Sequence, residues 1–222
     1  MNKWLGYVLL AAAVSVGALA MFAGPTAALD NIRAAQTSPV LMRFEIDAAR
    51  STFMVKASRG GIAWFKGHDH HIKVGKFSGE ADVTLDALNP ASLRMTIDAT
   101  SLKETSKDFT PKQKDIINKE LDDIVLESTK YPEITFKSTD IKGSLKNGKF
   151  EVKIGGDITL HGVTRHIAIP AVVSVEGDSL HAKGGFSLNR SDFNVKATSA
   201  FHGYVRIKNK LRFTFDMVGK SK

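Results

Sequence analysis

"FSGEADVTL" (residues 77–85) alternates without a slip, with Phe77, Gly79, Ala81, Val83 and Leu85 on one parity and Ser78, Glu80, Asp82 and Thr84 on the other. Successive side chains of an extended chain point to opposite faces, so the stretch has one apolar and one polar face, as a half-buried strand does. The same period spreads in both directions. Upstream it aligns Met42, Phe44 and Ile46, then Phe53, Val55 and Ala57; downstream it aligns Leu93, Met95, Ile97 and Ala99. The second half repeats it in Phe150 to Leu160, Ile167 to Val175, Leu180 to Leu188, and Leu211 to Met217. Leu88-Asn89-Pro90, Lys146-Asn147-Gly148, Glu176-Gly177-Asp178 and Lys208-Asn209-Lys210 separate these runs, each short enough to join antiparallel neighbours. The pattern predicts an all-β, up-and-down antiparallel sheet. Eight or more strands in one small domain favour closure into a β-barrel, which removes exposed edges.

One segment breaks the period. Thr110-Pro111-Lys112-Gln113 combines a cap residue, a proline at the first helical position and a glutamine three residues after the cap. Ile117, Leu121, Ile124 and Val125 follow on one helical face, so residues 111 to about 127 are expected to form an amphipathic α-helix near a barrel opening. Tyr131-Pro132 stops it and returns the chain to the strand "EITFKS".

The chain of 222 residues has no cysteine, which excludes a disulfide framework, a thiolate metal site and a cysteine nucleophile. Behind Lys3, "WLGYVLLAAAVSVGALAMF" (4–22) carries no charge and reads as an export signal. Thr26-Ala27-Ala28 is the favoured cleavage pattern over Ala18-Leu19-Ala20, making residues 1–28 a signal peptide, 29–40 a linker and 41–222 the domain. An uncleaved membrane anchor is the alternative, since about 20 apolar residues span a bilayer. Either way the domain lies outside the cytoplasm. The formal charge of +8 is spread from Arg33 to Lys222 without a dense block, which argues against nucleic acid and leaves attraction to anionic membrane surfaces as a weaker reading.

Inward sets mix large residues (Phe53, Phe77, Phe136, Phe186) with small ones (Ala57, Gly79, Ala81, Ala99, Ala182, Gly184), which fits either a ligand cavity or interdigitated packing. "GHDHHI" (67–72) is the densest histidine cluster. Continued as a strand, it would turn His68 and His70 inward with Ile72 and Val74, as polar groups at a pocket mouth. A metal site would need a third ligand. Period two turns His161, His166 and His181 outward, and His202 is the remaining candidate. No GxSxG elbow, P-loop or GxGxxG is present, so a lipid-acting hydrolase or isomerase lacks a motif to support it.

"FEIDAARSTFMVKAS" (44–58), "GKFSGEADVTLD" (75–86), "KYPEITFKST" (130–139), "GGDITLHGVTRHIAIP" (155–170) and "FSLNRSDFNV" (186–195) resemble, in order and spacing, the YceI-like family of exported bacterial proteins. The resemblance covers residues 41 to about 218. It implies an extended lipocalin-like barrel enclosing a polyisoprenoid, a quinone tail or a long acyl chain, periplasmic storage or transport without catalysis, no cofactor, and frequently a homodimer. The chain departs from the family's usual pattern at Arg50-Ser51 and across "RGGIAWFKGHDHHIKVGKF" (59–77). With inward parity and resemblance combined, the expected ligand contacts are Phe53, Val55, His68, His70, Ile72, Phe77, Met95, Ile97, Phe136, Ile154, Ile158, Ile169, Phe186 and Phe213. The competing reading makes His68 and His70 ligands of a metal.

Overall fold

The structure, a computed structural model, describes residues 40–84, 90–196, 198–200 and 204–222. The expected signal peptide, all of the linker but its last residue, Leu85, the Leu88-Asn89 part of one turn, and His202 lie outside the described residues. The strands are β1 (Leu41–Ile46), β2 (Thr52–Gly60), β3 (His70–Val74), β4 (Phe77–Thr84), β5 (Ser92–Asp98), β6 (Leu102–Glu104), β7 (Glu133–Lys146), β8 (Lys149–Leu160), β9 (Val163–Glu176), β10 (Ser179–Asn189), β11 (Ser199–Ala200) and β12 (Val205–Ser221). One α-helix, α1 (Pro111–Glu120), follows β6.

Every pairing is antiparallel, in the order β1-β4-β5-β7-β8-β9-β10-β12, and β12 returns to β1 through Phe44↔Ser221, Glu45↔Lys220 and Ile46↔Gly219. The ring of these eight strands is a closed barrel without a free edge at that level, whereas the path through β2 and β3 ends at β6. β12 is long enough to pair β1 at its end and β2 from Asp216↔Thr52 to Arg206↔Gly60; β3 then pairs β2, and β6 pairs β3. Thus β1 and β2, β4 and β3, and β5 and β6 are three wall strands, each interrupted once. The interruptions, at residues 47–51, 75–76 and 99–101, are tied to their neighbours. The Gly75 amide donates to the Ser101 carbonyl (3.0 Å), the Asp98 amide to the Lys76 carbonyl (3.1 Å), and the Val218 amide to the Ser51 hydroxyl (2.9 Å).

Alternate residues of these strands pack one interior, from the fully buried Phe44 to Met217. Residues 38–222 form one compact unit whose first and last strands pair and whose core is its own, so the segment is a self-sufficient folding unit. Asn147 (φ 51°) and Gly148 (φ 74°) make the two-residue turn between β7 and β8, where both positions require left-handed backbone.

Two expectations about local structure are corrected. Lys208-Asn209-Lys210 is not a turn. β12 runs through it, and the register against β2 shifts between Ile207 and Leu211. The Asn209 side chain holds this bulge by accepting from the Ser191 amide (3.0 Å) and donating to the Ser191 hydroxyl (2.9 Å). The helix, correctly capped by reciprocal Thr110 and Gln113 bonds, is regular only to Glu120. Residues Leu121–Val125 widen into a π-turn in which the Leu126 amide reaches the Leu121 carbonyl (2.9 Å). The extra residue per turn rotates Leu126 into the core and leaves Ile124 exposed, which a uniform 3.6-residue period places inside.

Candidate functional site

The barrel interior is not filled from end to end. An upper chamber of about 130 Å³ lies inside β1, β4 and β5 and the facing strands, lined by Ala81, Val83, Met95, Phe136, Ile154, Ile169, Ala182 and Met217. A lower chamber of about 170 Å³ lies inside β2, β3 and β6, lined by Val55, Ala57, His70, Ile72 and Phe213 and roofed by Ile117, Leu121 and Val125 of the helical segment. Phe53, Ile97, Ile134, Ile158 and Phe186 line both, forming a waist. For scale, an apolar cavity of about 150 Å³ accepts benzene. From Val152 to Leu160 the lumen runs roughly 27 Å along β8, or about 20 Å along the axis at the usual strand rise and tilt.

Aromatic packing sets the waist. Phe53 meets Phe77 edge-on at 6.4 Å and Phe215 at 6.5 Å, while Phe186 stacks on Phe213 at 4.7 Å. Small residues opposite them, Ala57 below and Ala81 and Ala182 above, leave the space that the rings do not fill.

The chambers differ in chemistry. Asp82 and Ser92 border the upper one, but the Asp82 carboxylate is turned to Arg43 (2.7 Å) and the Ser92 hydroxyl (3.1 Å). The lower chamber meets His70, Glu120, Arg190, Lys196 and Thr198. His70 Nδ1 lies 2.7 Å from a Glu104 carboxylate oxygen, and the ring stacks on Phe109 at 5.1 Å, leaving Nε2 for another partner. The Glu104 side chain is 0% exposed; its second oxygen accepts from the amides of His71 (3.1 Å) and Ser106 (2.7 Å). Burial alone pushes the Glu104 carboxyl up, but the bonds from His70, Ser106 and His71 outweigh it and hold it below the ordinary value. Arg190 donates through Nη1 to the Val195 carbonyl (3.0 Å), and its Nε is buried with no partner among the described residues.

Of the contacts expected from sequence, Met95, Phe136, Ile154 and Ile169 line the upper chamber, and Val55, His70, Ile72 and Phe213 the lower. Phe53, Ile97, Ile158 and Phe186 belong to both. Phe77 lines neither and supports Phe53 from behind. His68 also lines neither, which is a correction. β3 begins only at His70, so His68 precedes the alternating stretch and is exposed beside Phe109, 4.0 Å from Asp108. A second correction concerns His161, expected outward. It takes φ 52° in the turn after β8, which breaks the alternation, and its side chain is 6% exposed with Nε2 2.6 Å from Glu127 and its ring 4.3 Å from Tyr131. His68 and His70 engage separate carboxylates. Among the described residues, no three His, Cys, Asp or Glu side chains are gathered as a metal would need.

Sequence reasoning missed Glu104, Arg190 and Lys196. Glu104 was visible as a carboxylate on the inward parity of "LKE" beside buried Leu102; nothing local marks the other two, which come from the chain after β10.

A family model described as the YceI-like domain matches residues 44–219. A UPF0312 protein of Pseudomonas fluorescens is 28% identical over 190 residues, spanning 82% of this chain and 84% of that one. Protein YceI of Shigella flexneri is 34% identical over 121 residues, spanning 51% of this chain and 58% of that one. Among solved structures, BcnA of Burkholderia cenocepacia matches with a TM-score of 0.61 at 20% identity, covering 78% of this chain and 98% of its own. A polyisoprenoid binding domain from Saccharophagus degradans, implicated in plant cell wall breakdown, matches with a TM-score of 0.57 at 13% identity, covering 82% and 99%. At these identities the structural likenesses establish the shared barrel.

Proposed function

The chain belongs to the YceI-like family, and from that premise we propose that it is a binding protein, not an enzyme, that shelters the chain of a polyisoprenoid, quinone or long acyl lipid for storage or transport. The observation that carries this reading is an apolar lumen in two chambers joined at a waist, with His70, Arg190 and Lys196 at the lower end and no basic side chain in the upper lining. The description of the Saccharophagus degradans domain as polyisoprenoid-binding supports the same ligand class. The tail lies across the waist into the upper chamber, and the polar end stays below with His70, Arg190 and Lys196. Each methylene moved from water into the lumen contributes about 0.8 kcal/mol. The proposal needs no cofactor, and the uncharged apolar stretch at residues 4–22 supports a periplasmic setting.

Native mass spectrometry of the protein purified from its own host, followed by organic extraction, tests this. A heavy apolar passenger recovered intact is the expected result. Recovery of a chemically altered product in its place favours the lipid-acting enzyme. A protein that arrives bare and takes up no isoprenoid, quinone or fatty acid refutes the carrier. Sedimentation of the same sample reads the homodimer.

A further inference from the structure

The connection between β2 and β3 holds three large apolar side chains out to solvent. Ile62 is 84%, Phe65 65% and Trp64 54% exposed, and Tyr204 stands exposed beside them. A cluster of this kind costs solubility unless something covers it.

The loop is braced rather than slack. The Ala63 amide donates to the Tyr204 carbonyl (3.0 Å), and Trp64–Lys66 form a 3-10 turn. Arg59 reaches back to the Gly67 carbonyl (2.8 Å) with its guanidinium 5.6 Å from the Trp64 ring centre. Gly61 takes φ 88°, and a Cβ there would sit 2.4 Å from the Tyr204 carbonyl oxygen, so the backbone is pinned where only glycine fits. Such bracing holds Trp64 and Phe65, 6.4 Å apart and edge to face, at the tip.

The surroundings are basic. No acidic residue occurs between Asp47 and Asp69 or between Asp192 and Asp216, whereas Arg59, Lys66, Arg206 and Lys208 flank the loop. Of the nearby carboxylates, Asp69 is engaged with Lys56 (2.9 Å), and Asp108 lies 4.0 Å from His68. Aromatic rings interleaved with lysine and arginine at a protruding tip match the interface of an anionic bilayer, where rings seat at headgroup depth and cations meet phosphate.

We infer that the loop at residues 61–66 docks the protein on an anionic lipid bilayer, with Ile62, Trp64 and Phe65 entering the headgroup region and Arg59 and Lys66 bound to lipid phosphates. Ile207, which pairs with Arg59 at the base of the loop, lines the lower chamber. Docking therefore brings that chamber's rim to the membrane. The docking itself does not depend on what the chamber holds.

Residues 38–222 carry Trp64 as their only tryptophan, the other being Trp4, so its emission reports the loop directly. The segment is mixed with phosphatidylcholine vesicles with and without phosphatidylglycerol. It is expected to sediment with the anionic vesicles, to shift its emission to the blue, and to dissociate as salt is raised. The double substitution Trp64→Ser, Phe65→Ser changes exposed positions and leaves the melting temperature unaltered, but it lowers the vesicle partition coefficient by about tenfold or more. Failure to bind anionic vesicles overturns the inference, as does binding that leaves Trp64 unshifted and survives the double substitution. Self-association or capture of a protein partner that the double substitution abolishes, without vesicle binding, assigns the loop to a protein interface instead.

Discussion

Ala182 offers a direct measurement of how far a ligand tail reaches. It faces the upper chamber between Val173 of β9 and Met217 of β12, with Leu180 the next inward position of β10. Two residues of strand span roughly 6.6 Å, or about 5 Å along the barrel axis at a tilt near 40°. An extended chain advances about 1.2 Å per bond, so a ring placed at Ala182 denies a tail its last four carbons or so. At about 0.8 kcal/mol per methylene the loss is about 3 kcal/mol, roughly 200-fold in Kd. Affinities of a series of saturated fatty acids, read by displacement of a fluorescent fatty acid, are expected to climb about fourfold per carbon in the native protein and then level off. In Ala182→Phe the levelling comes about four carbons sooner, and acids too short to pass the waist bind as before. The chamber has room for the ring, so the melting temperature holds. An equal loss at every chain length, or none at the longest, would falsify the placement of the tail.

Glu104→Gln is expected to lower stability at pH 7 by about 1–3 kcal/mol in urea titrations, because one amide oxygen cannot serve His70, His71 and Ser106 together. The folded carboxyl titrates below its ordinary 4.5, so its contribution is complete above that value and disappears as the pH drops through the lower folded one. The acid limb of the native stability profile below pH 4.5 is therefore expected to be steeper than that of Glu104→Gln, and superimposable limbs contradict the argument. His161→Ala removes the partner of Glu127 and opens a buried gap, at a cost of about 2–4 kcal/mol in thermal unfolding. The same variant is expected to speed ligand exchange, since Glu127 ties the end of the helical segment to the β8–β9 turn; an unchanged exchange rate identifies the helix as a fixed plug. Gly162→Ala combines φ 74° with a Cβ 2.6 Å from Tyr131, and a loss of about 1–2 kcal/mol is expected by calorimetry.

Strand parity was legible because it is a local property. Phe44, Phe53, Val83, Ile97 and Ile154 point inward in the structure for the reason visible in their own neighbours. The Asn147-Gly148 turn was legible for a similar reason, since both residues tolerate left-handed backbone. What escaped the sequence depends on partners far along the chain. His70 is set by Glu104, His161 by Glu127, and the bulge at Asn209 by Ser191, and no window of ten residues contains either pair of the first two or the third. His68 departs from the pattern because β3 begins only at His70, two residues after it, so the alternation does not reach back that far. The π-turn after Glu120 escaped because helical periodicity assumes a constant number of residues per turn, and here the backbone gains one to seat Leu126.

The three wall strands that break at residues 47–51, 75–76 and 99–101 do so level with the waist, beside Phe53, Phe77 and Ile97. Each break resets the hydrogen-bond ladder, so a slip or insertion in β2, β3 or β6 is absorbed there and does not propagate into β1, β4 and β5. The segments β2, β3 and β6 around the lower chamber can therefore change in length or sequence while β1, β4 and β5 around the upper chamber keep their register, with the five unbroken strands as the common frame.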